Sequence, residues 1–224
     1  MSSTAVSPAP DTRGSFLRAR LASLLAIAPL GVWTVVHIWN NLAVYQGGVV
    51  WEQSVQTRSP IATLVTSVVV LAPLVLHTIW GLGRLTNFRP NNGNYNYFNN
   101  LKYILQRASA VGVLLFILAH LWLAFFHPRF VEGHPETFND IAYEMRFNAP
   151  TLPVYVLGTL GVAYHLANGI YTAAMGWGLA VGRNGLKNVQ ILSGLLFIVT
   201  LAMSWGALYG LWSAGATVPA PIAH

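Results

Sequence analysis

The block ILQRASAVGVLLFILAHLWLAFF, residues 104–126, decides the fold of this chain. It carries one permanently charged residue, Arg107, near its start and one histidine, His120, near its end. As a helix rising 1.5 Å per residue, it is long enough to cross a hydrocarbon core of about 30 Å. Over all 224 residues, 54% are hydrophobic and 8% are charged, whereas soluble domains carry about 25% charged residues. The sequence therefore predicts an all-α integral membrane protein.

Four further apolar blocks have the same character, which predicts a bundle of five transmembrane helices. The predicted spans are residues 21–45, 61–82, 104–126, 152–179 and 189–212. We expect a flexible cytoplasmic tail over residues 1–17, a membrane domain over 18–213 and a short tail over 214–224. The first span is too long for the apolar part of a signal peptide, so we expect it to remain in the mature protein.

The charged residues predict the orientation in the membrane. Nine of the 12 basic residues lie in or beside the N-terminus and the loops 83–103 and 180–188, together with one acid. The other side carries three basic and five acidic residues. The positive-inside rule then places the N-terminus in the cytoplasm and the C-terminus outside. The net charge of +6 is accounted for by these loops, so no nucleic-acid partner is expected.

The longest connection on the outer side, residues 126–150, is predicted to contain a short surface helix over residues 138–147. The inner loop 89–102 is rich in Asn, Gly and Tyr and is expected to be turn-rich. Because the chain has no cysteine, it cannot hold a disulfide, a covalent c-type haem or a thiolate-bound iron–sulfur cluster by itself.

Four histidines, one in each of the first four spans, are the main functional signal. An ionisable residue within a membrane span is costly and is usually functional. His37 and His120 each lie 16 residues beyond the inner start of their spans, about 24 Å along the helix axis. His77 and His165 lie 16 and 13 residues beyond the outer start of theirs, about 20–24 Å inward. The histidines thus form an outer pair and an inner pair.

Each pair places two imidazoles on different helices of a bundle, which is what a bis-histidine haem requires. The sequence therefore predicts two stacked b-type haems enclosed by four helices, at levels separated by about 10–15 Å. One alternative is that the histidines are buried and hydrogen-bonded across helices without any cofactor. Zinc is a weaker alternative, because each level lacks further nitrogen, sulfur or carboxylate ligands.

Other residues are assigned from their positions near the ends of the spans. Arg84 and Arg107 lie at the inner level and could bind the anionic haem propionates; they could also be ordinary anchors at the lipid headgroups. Glu52, with Trp39 and Asn40, lies near the outer pair and is the candidate quinone site, Glu52 supplying a proton. The alternative for Glu52 is a solvated loop acid.

The segments around the histidines resemble a known family. VHIWNNL at residues 36–42, LQRASAVGVLLFILAHLW at 105–122 and AYHLANGIY at 163–171 are similar to the dihaem cytochrome b membrane anchor of bacterial succinate:quinone oxidoreductases and quinol:fumarate reductases. The resemblance covers nearly the whole chain. It implies that His37 and His120 bind the outer haem and that His77 and His165 bind the inner one.

The resemblance also implies partners and a reaction. A flavoprotein with covalent FAD and an iron–sulfur subunit would dock on the cytoplasmic face of a bacterial cell membrane. Electrons from succinate would pass through both haems to a quinone, with menaquinone implied by this type of anchor and ubiquinone as the alternative. Fumarate reductases of the family that move protons across the membrane carry a Glu two residues before the last ligand, where this chain has Ala163. This departure favours succinate oxidation.

Two other classes of membrane protein remain as alternatives. Other dihaem anchors, such as those of hydrogenases and formate dehydrogenases, usually carry two ligands on one helix, which differs from the pattern here. A non-redox transporter could use the histidines as a proton relay. A b-type absorption band in the purified protein would separate the cytochrome from the transporter.

Overall fold

The computed structural model describes residues 12–56, 59–86 and 97–219, and all regular structure within them is helical. Most of the predicted polar loop 89–102, and the ends of both predicted tails, lie outside the described residues. The described helices are α1 (Thr12–Leu25), α2 (Val32–Asn41), α3 (Gly48–Val55), α4 (Pro60–Thr66), α5 (Ala72–Leu85), α6 (Phe98–Leu121), α7 (Phe138–Phe147), α8 (Thr151–Gly176) and α9 (Gly182–Ala214).

Short wider π-helical turns join several of these helices into longer rods. Ala26–Gly31 connects α1 to α2, Ser67–Leu71 connects α4 to α5, and Trp122–Phe126 continues α6. A 3₁₀ turn, Leu42–Gln46, extends α2. Such turns arise where the regular hydrogen-bond ladder of a helix is interrupted.

Proline accounts for two of the interruptions. Pro29 lies inside the first π-helical turn and has no N–H to donate to the preceding turn. Pro128 likewise cannot donate to the carbonyl of Ala124. There the Arg129 guanidinium donates instead, to the carbonyl oxygens of Ala124 at 3.4 Å and Phe125 at 3.3 Å.

Four of these rods are long and apolar enough to cross a membrane. They are Arg20–Gln46, Pro60–Leu85, Asn100–Glu132 and Gly182–Ala214. Many of their large apolar side chains are exposed on the outside of the bundle, as contact with lipid requires. The predicted all-α membrane bundle is therefore confirmed.

The predicted fourth span corresponds to α8, which has 26 residues and a length of about 39 Å. It carries three tyrosines, more than any of the four rods above, and is not among the described helices that have the length and apolarity of a membrane span. Its position explains this, because α8 packs between α6 and α9 and buries residues along its whole length. A helix covered by protein does not need a lipid-facing surface on every side.

Hydrogen bonds and close packing hold α8 in this central place. Ser193 of α9 donates to the carbonyl of Ala167 at 2.7 Å. Gly158 lies against the Phe116 ring of α6 so closely that no Cβ would fit. Glycine at this position lets the two helices approach.

The helix α7 closes one end of the bundle, where it packs on α3, α8 and α9. Its bounds are those predicted for the short surface helix. Its buried residues Ile141 and Met145 join Trp51, Tyr155 and Leu208 in one apolar cluster. We call this the outer end, and the opposite end, with the last turn of α5, the inner end, following the predicted orientation.

Candidate functional site

One continuous cavity of about 840 Å³ runs through the bundle. Its wall is formed mainly by α2, α5, α6 and α8, and all four predicted ligand histidines line it. The volume is near the upper end of the range of about 300–1,000 Å³ for small-molecule sites. The cavity is therefore the candidate site, and its two levels can be described separately.

At the outer level, His37 of α2 faces His120 of α6. Their ring centroids lie 6.0 Å apart, and their planes are inclined by 65°. Trp33, one turn before His37, stacks on its ring at 4.6 Å and 8°. The Tyr155 hydroxyl lies 3.1 Å from Nδ1 of His120. A hydrogen bond at one ring nitrogen orients an imidazole for binding through the other.

At the inner level, His77 of α5 faces His165 of α8. Their ring centroids lie 6.1 Å apart, with an inclination of 74°. Nδ1 of His165 lies 3.3 Å from Nε2 of Gln106 and 3.4 Å from Oγ of Ser109. Asn168 holds Gln106 in turn, donating to its Oε1 at 2.8 Å. The structure thus brings the histidines together in the two predicted pairs.

The geometry of both pairs fits two imidazoles on one metal ion. A bond of about 2 Å from metal to imidazole nitrogen, plus about 1.1 Å from that nitrogen to the ring centre, gives centroids about 6 Å apart. Each level offers two imidazoles, and a planar tetrapyrrole would supply the remaining ligands. At Gly81, which lines the cavity one turn after His77, a Cβ would meet nothing within 4 Å. The donor set and the space beside it therefore suit haem.

Cationic side chains line the inner end of the cavity. They are Arg20, Arg84, Lys102 and Arg107. Arg107 lies over the Tyr103 ring at 5.0 Å, and its buried Nε has no hydrogen-bond partner among the described residues. Both arginines assigned from sequence therefore face the cavity, and an anionic group at this end would give Arg107 the acceptor that it lacks.

The predicted quinone residues do not line the cavity. Trp39 is 65% exposed on the surface of the bundle. Glu52 lies on α3, and its Oε1 accepts a hydrogen bond from the Phe138 N–H at 2.9 Å, at the start of α7. Asn40 does not line the cavity either, but the next residue, Asn41, does. A quinone role for Glu52, Trp39 and Asn40 stays a prediction.

Glu136 is the carboxylate that lines the cavity among the described residues, and it was not identified from sequence. Burial and the nearby carboxylates of Glu144, Asp140 and Glu132 raise its pKa to about 9. Burial, followed by Glu132, also raises the pKa of Glu144. The outer end of the cavity therefore carries a carboxyl group that is protonated at neutral pH.

Fold and site together define an integral membrane helical bundle around a cavity with two histidine pairs. Comparison with known proteins then gives the family. The family model described as "Succinate dehydrogenase/Fumarate reductase transmembrane subunit" matches residues 84–203, more than half of the chain, and the chain belongs to this family. A similar protein is the "Succinate dehydrogenase cytochrome b558 subunit" of Bacillus subtilis (strain 168), 24% identical over 201 residues, which cover 88% of this chain and 96% of that protein.

Proposed function

We propose that this chain is the haem-bearing membrane anchor of a succinate dehydrogenase and passes electrons through two b haems to a membrane quinone. The observation that carries the proposal is the pair of facing imidazoles, with centroids 6.0 and 6.1 Å apart, at each of two levels in one cavity. The family and the name of the Bacillus subtilis relative support the same function.

The residues of the chain then have distinct tasks. Bound haem supplies one-electron transfer, because its iron alternates between two oxidation states. His37 and His120 hold the outer iron, and His77 and His165 hold the inner one. Arg84 and Arg107 bind propionates at the inner end. The protein walls exclude water from the path between the two levels.

Hydrogen bonds to the ligands set their orientation. Tyr155 is buried and fixes His120 through Nδ1, which leaves Nε2 as the nitrogen that would bind the iron. Gln106 and Ser109 do the same for His165. Partners of this kind determine ring orientation and tune the basicity of the ligand.

The partners follow from the family resemblance, and the orientation follows from the charge distribution. The flavoprotein with FAD and the iron–sulfur subunit dock on the inner face, which is the cytoplasmic face of a bacterial cell membrane by the positive-inside rule. The quinone, menaquinone in this proposal, reacts near the outer haem, where Glu52, Trp39 and Asn40 lie. Succinate oxidation is the favoured direction, since Ala163 stands where proton-translocating fumarate reductases of the family carry a Glu.

The test is a reduced-minus-oxidised absorption spectrum of the purified protein and of four single variants. His37→Ala and His120→Ala should each remove the same b-type component and keep the other. His77→Ala and His165→Ala should remove the second component. His127→Ala is the matched control, because this histidine lies on the outer surface near Glu132 and does not line the cavity.

Two results would overturn the proposal. Absence of any b-type band in the wild-type protein would remove haem from the site. Loss of the same component in His37→Ala and His77→Ala would refute the pairing. A succinate:quinone activity assay on the native complex then tests the physiological reaction.

A further inference from the structure

Glu136 occupies a firmly held turn at the outer end of the cavity. The turn lies between Gly133, which has a φ of 79°, and the first residue of α7. Gln56 donates to the Glu136 carbonyl at 2.6 Å, and Glu52 accepts from the Phe138 N–H at 2.9 Å. Both contacts come from α3 or the residue after it. Glu52, which the sequence predicted as the proton donor to a quinone, therefore helps to hold the segment that carries Glu136.

The Glu136 side chain is buried, with 8% exposure, and lines the cavity. Its Oε1 has no hydrogen-bond partner among the described residues. A charged carboxylate left unpaired in this way would be costly. The site therefore favours the protonated carboxyl, whose O–H is available to a molecule in the cavity.

The charges around Glu136 strengthen this preference. Among the described residues, the charged groups that act on it are the carboxylates Glu132, Asp140 and Glu144 and the cation Arg129. From α8, the Tyr155 hydroxyl is also near enough to interact with Glu136 electrostatically, but it is engaged with His120 at 3.1 Å. Burial, followed by the excess of negative charge, raises the pKa of Glu136 to about 9, so the carboxylate favours taking up a proton again at neutral pH.

We infer that the Glu136 carboxyl is the group that exchanges protons with quinone at the outer end of the cavity, a role that rests on the function proposed above. Reduction of a quinone to a quinol needs two electrons and two protons, one for each oxygen. In each transfer the O–H bond of Glu136 breaks, an O–H bond forms on the quinone, and the carboxylate is protonated again from the outer side. The electrons come from succinate through the electron-transfer function proposed above.

The alternative acid, Glu52, is less suited to this step. Its Oε1 is engaged with the backbone of α7, and it does not line the cavity. Its place in the fold is therefore that of a positioning residue for the turn, whereas Glu136 presents a free oxygen at the cavity wall.

The experiment uses the complete haem-loaded complex and compares Glu136→Gln with Glu132→Gln. The first variant keeps the shape and hydrogen-bonding character of the protonated acid but cannot release a proton. The second removes a carboxylate from the same segment at an exposed position outside the cavity wall. Three readouts are needed: reduction of the b-type bands by succinate, the steady-state rate of reduction of a soluble quinone analogue, and the carboxyl C=O band in redox-difference infrared spectra.

We expect Glu136→Gln to slow quinone reduction by at least about tenfold. This lower bound is smaller than the rate factor that a positioned general acid usually contributes. Reduction of the b-type bands by succinate should keep its wild-type extent, and the infrared carboxyl band should disappear. Glu132→Gln should retain most of the rate and the band, because its carboxylate acts on Glu136 less than those of Glu144 and Asp140. Glu136→Asp, which keeps the carboxyl group, should recover part of the rate.

A wild-type rate in Glu136→Gln, or an infrared carboxyl band that persists in it, would overturn the role of Glu136. Failure of the proposed function would look different, because succinate would then reduce no b-type band even in the wild-type complex. A general loss of structure would also look different. It would remove the b-type absorption bands in both Glu136→Gln and Glu136→Asp, and it would contradict the expectation that succinate still reduces these bands.

Discussion

Replacing Gly158 by alanine should disturb the contact between α6 and α8 at the outer level of the site. The added Cβ would overlap Cδ2 and Cγ of the Phe116 ring. These atoms are near the base of the ring, so rotation of a flexible tip cannot relieve the overlap. The ring stacks on His120 with centroids 5.7 Å apart, and a displaced Phe116 would therefore move the ligand.

The size of the effect can be derived from a matched pair of variants. At Gly161, one turn later in α8, a Cβ would lie 3.5 Å from Cγ2 of Val113, an ordinary contact. Gly161→Ala should therefore gain up to about 1 kcal/mol from helix propensity. Gly158→Ala makes the same gain but loses about 1–3 kcal/mol by overpacking. The two variants should differ by about 1–3 kcal/mol.

The measurement is thermal unfolding of both variants in detergent, followed by circular dichroism and by the b-type absorption. For a domain of this size, 1 kcal/mol corresponds to about 2–4 °C in Tm, so Gly158→Ala should unfold about 2–12 °C below Gly161→Ala. Its outer b-type component should also be altered, while the inner component stays as in the wild type. Equal Tm values with unchanged spectra would refute the reasoning, because they would mean that α6 and α8 tolerate a side chain at this contact.

Two further predictions concern the outer end. Tyr155→Phe removes the hydroxyl 3.1 Å from Nδ1 of His120 and should shift the midpoint potential of the outer b-type component alone in a potentiometric titration; equal shifts in both components would contradict a local effect. Because the pKa of Glu136 is about 9 in the folded protein and 4.5 in a model peptide, the folded state binds more protons between these values, and stability should fall as pH rises from about 4.5 to 9. Tm values measured over this range should fall more steeply in the wild type than in Glu136→Gln, and parallel curves would contradict the assignment.

Much of the fold could be predicted because a bilayer imposes strong requirements on sequence. Long apolar blocks marked the spans, and the amphipathic run at residues 138–147 gave α7 with the bounds that the structure shows. The pairing of histidines in space followed from counting residues along helices of known rise. It required no knowledge of which helices touch, only that each pair lies at one depth.

The ends of the helices were harder to predict. The helix α1 begins at Thr12, α6 at Phe98 and α9 at Gly182, all earlier than the apolar blocks begin. Helices continue beyond the hydrocarbon core into polar surroundings, where hydropathy gives no signal. The region of Glu52 was interpreted as a loop for the same reason, although it forms α3.

The cavity-facing Glu136 could not be found from sequence. It lies two residues before α7 in a segment whose acids all look solvated. Its burial comes from packing of α7 against α3 and α8 and from the hydrogen bond of Gln56, which is 80 residues away along the chain. A single sequence without structure contains no periodic pattern that would distinguish Glu136 from Glu132.

The uneven lining of the cavity creates an electric field along the axis of the bundle. Arg20, Arg84, Lys102 and Arg107 make the inner end positive, whereas the outer cap is rich in carboxylates. In a medium of low dielectric constant, an added negative charge is more stable beside the cations. In the function proposed here, an electron moving outward would therefore climb in energy, and uptake of a proton at the far end would offset that climb, which would tie charge movement to proton supply from the opposite side of the membrane.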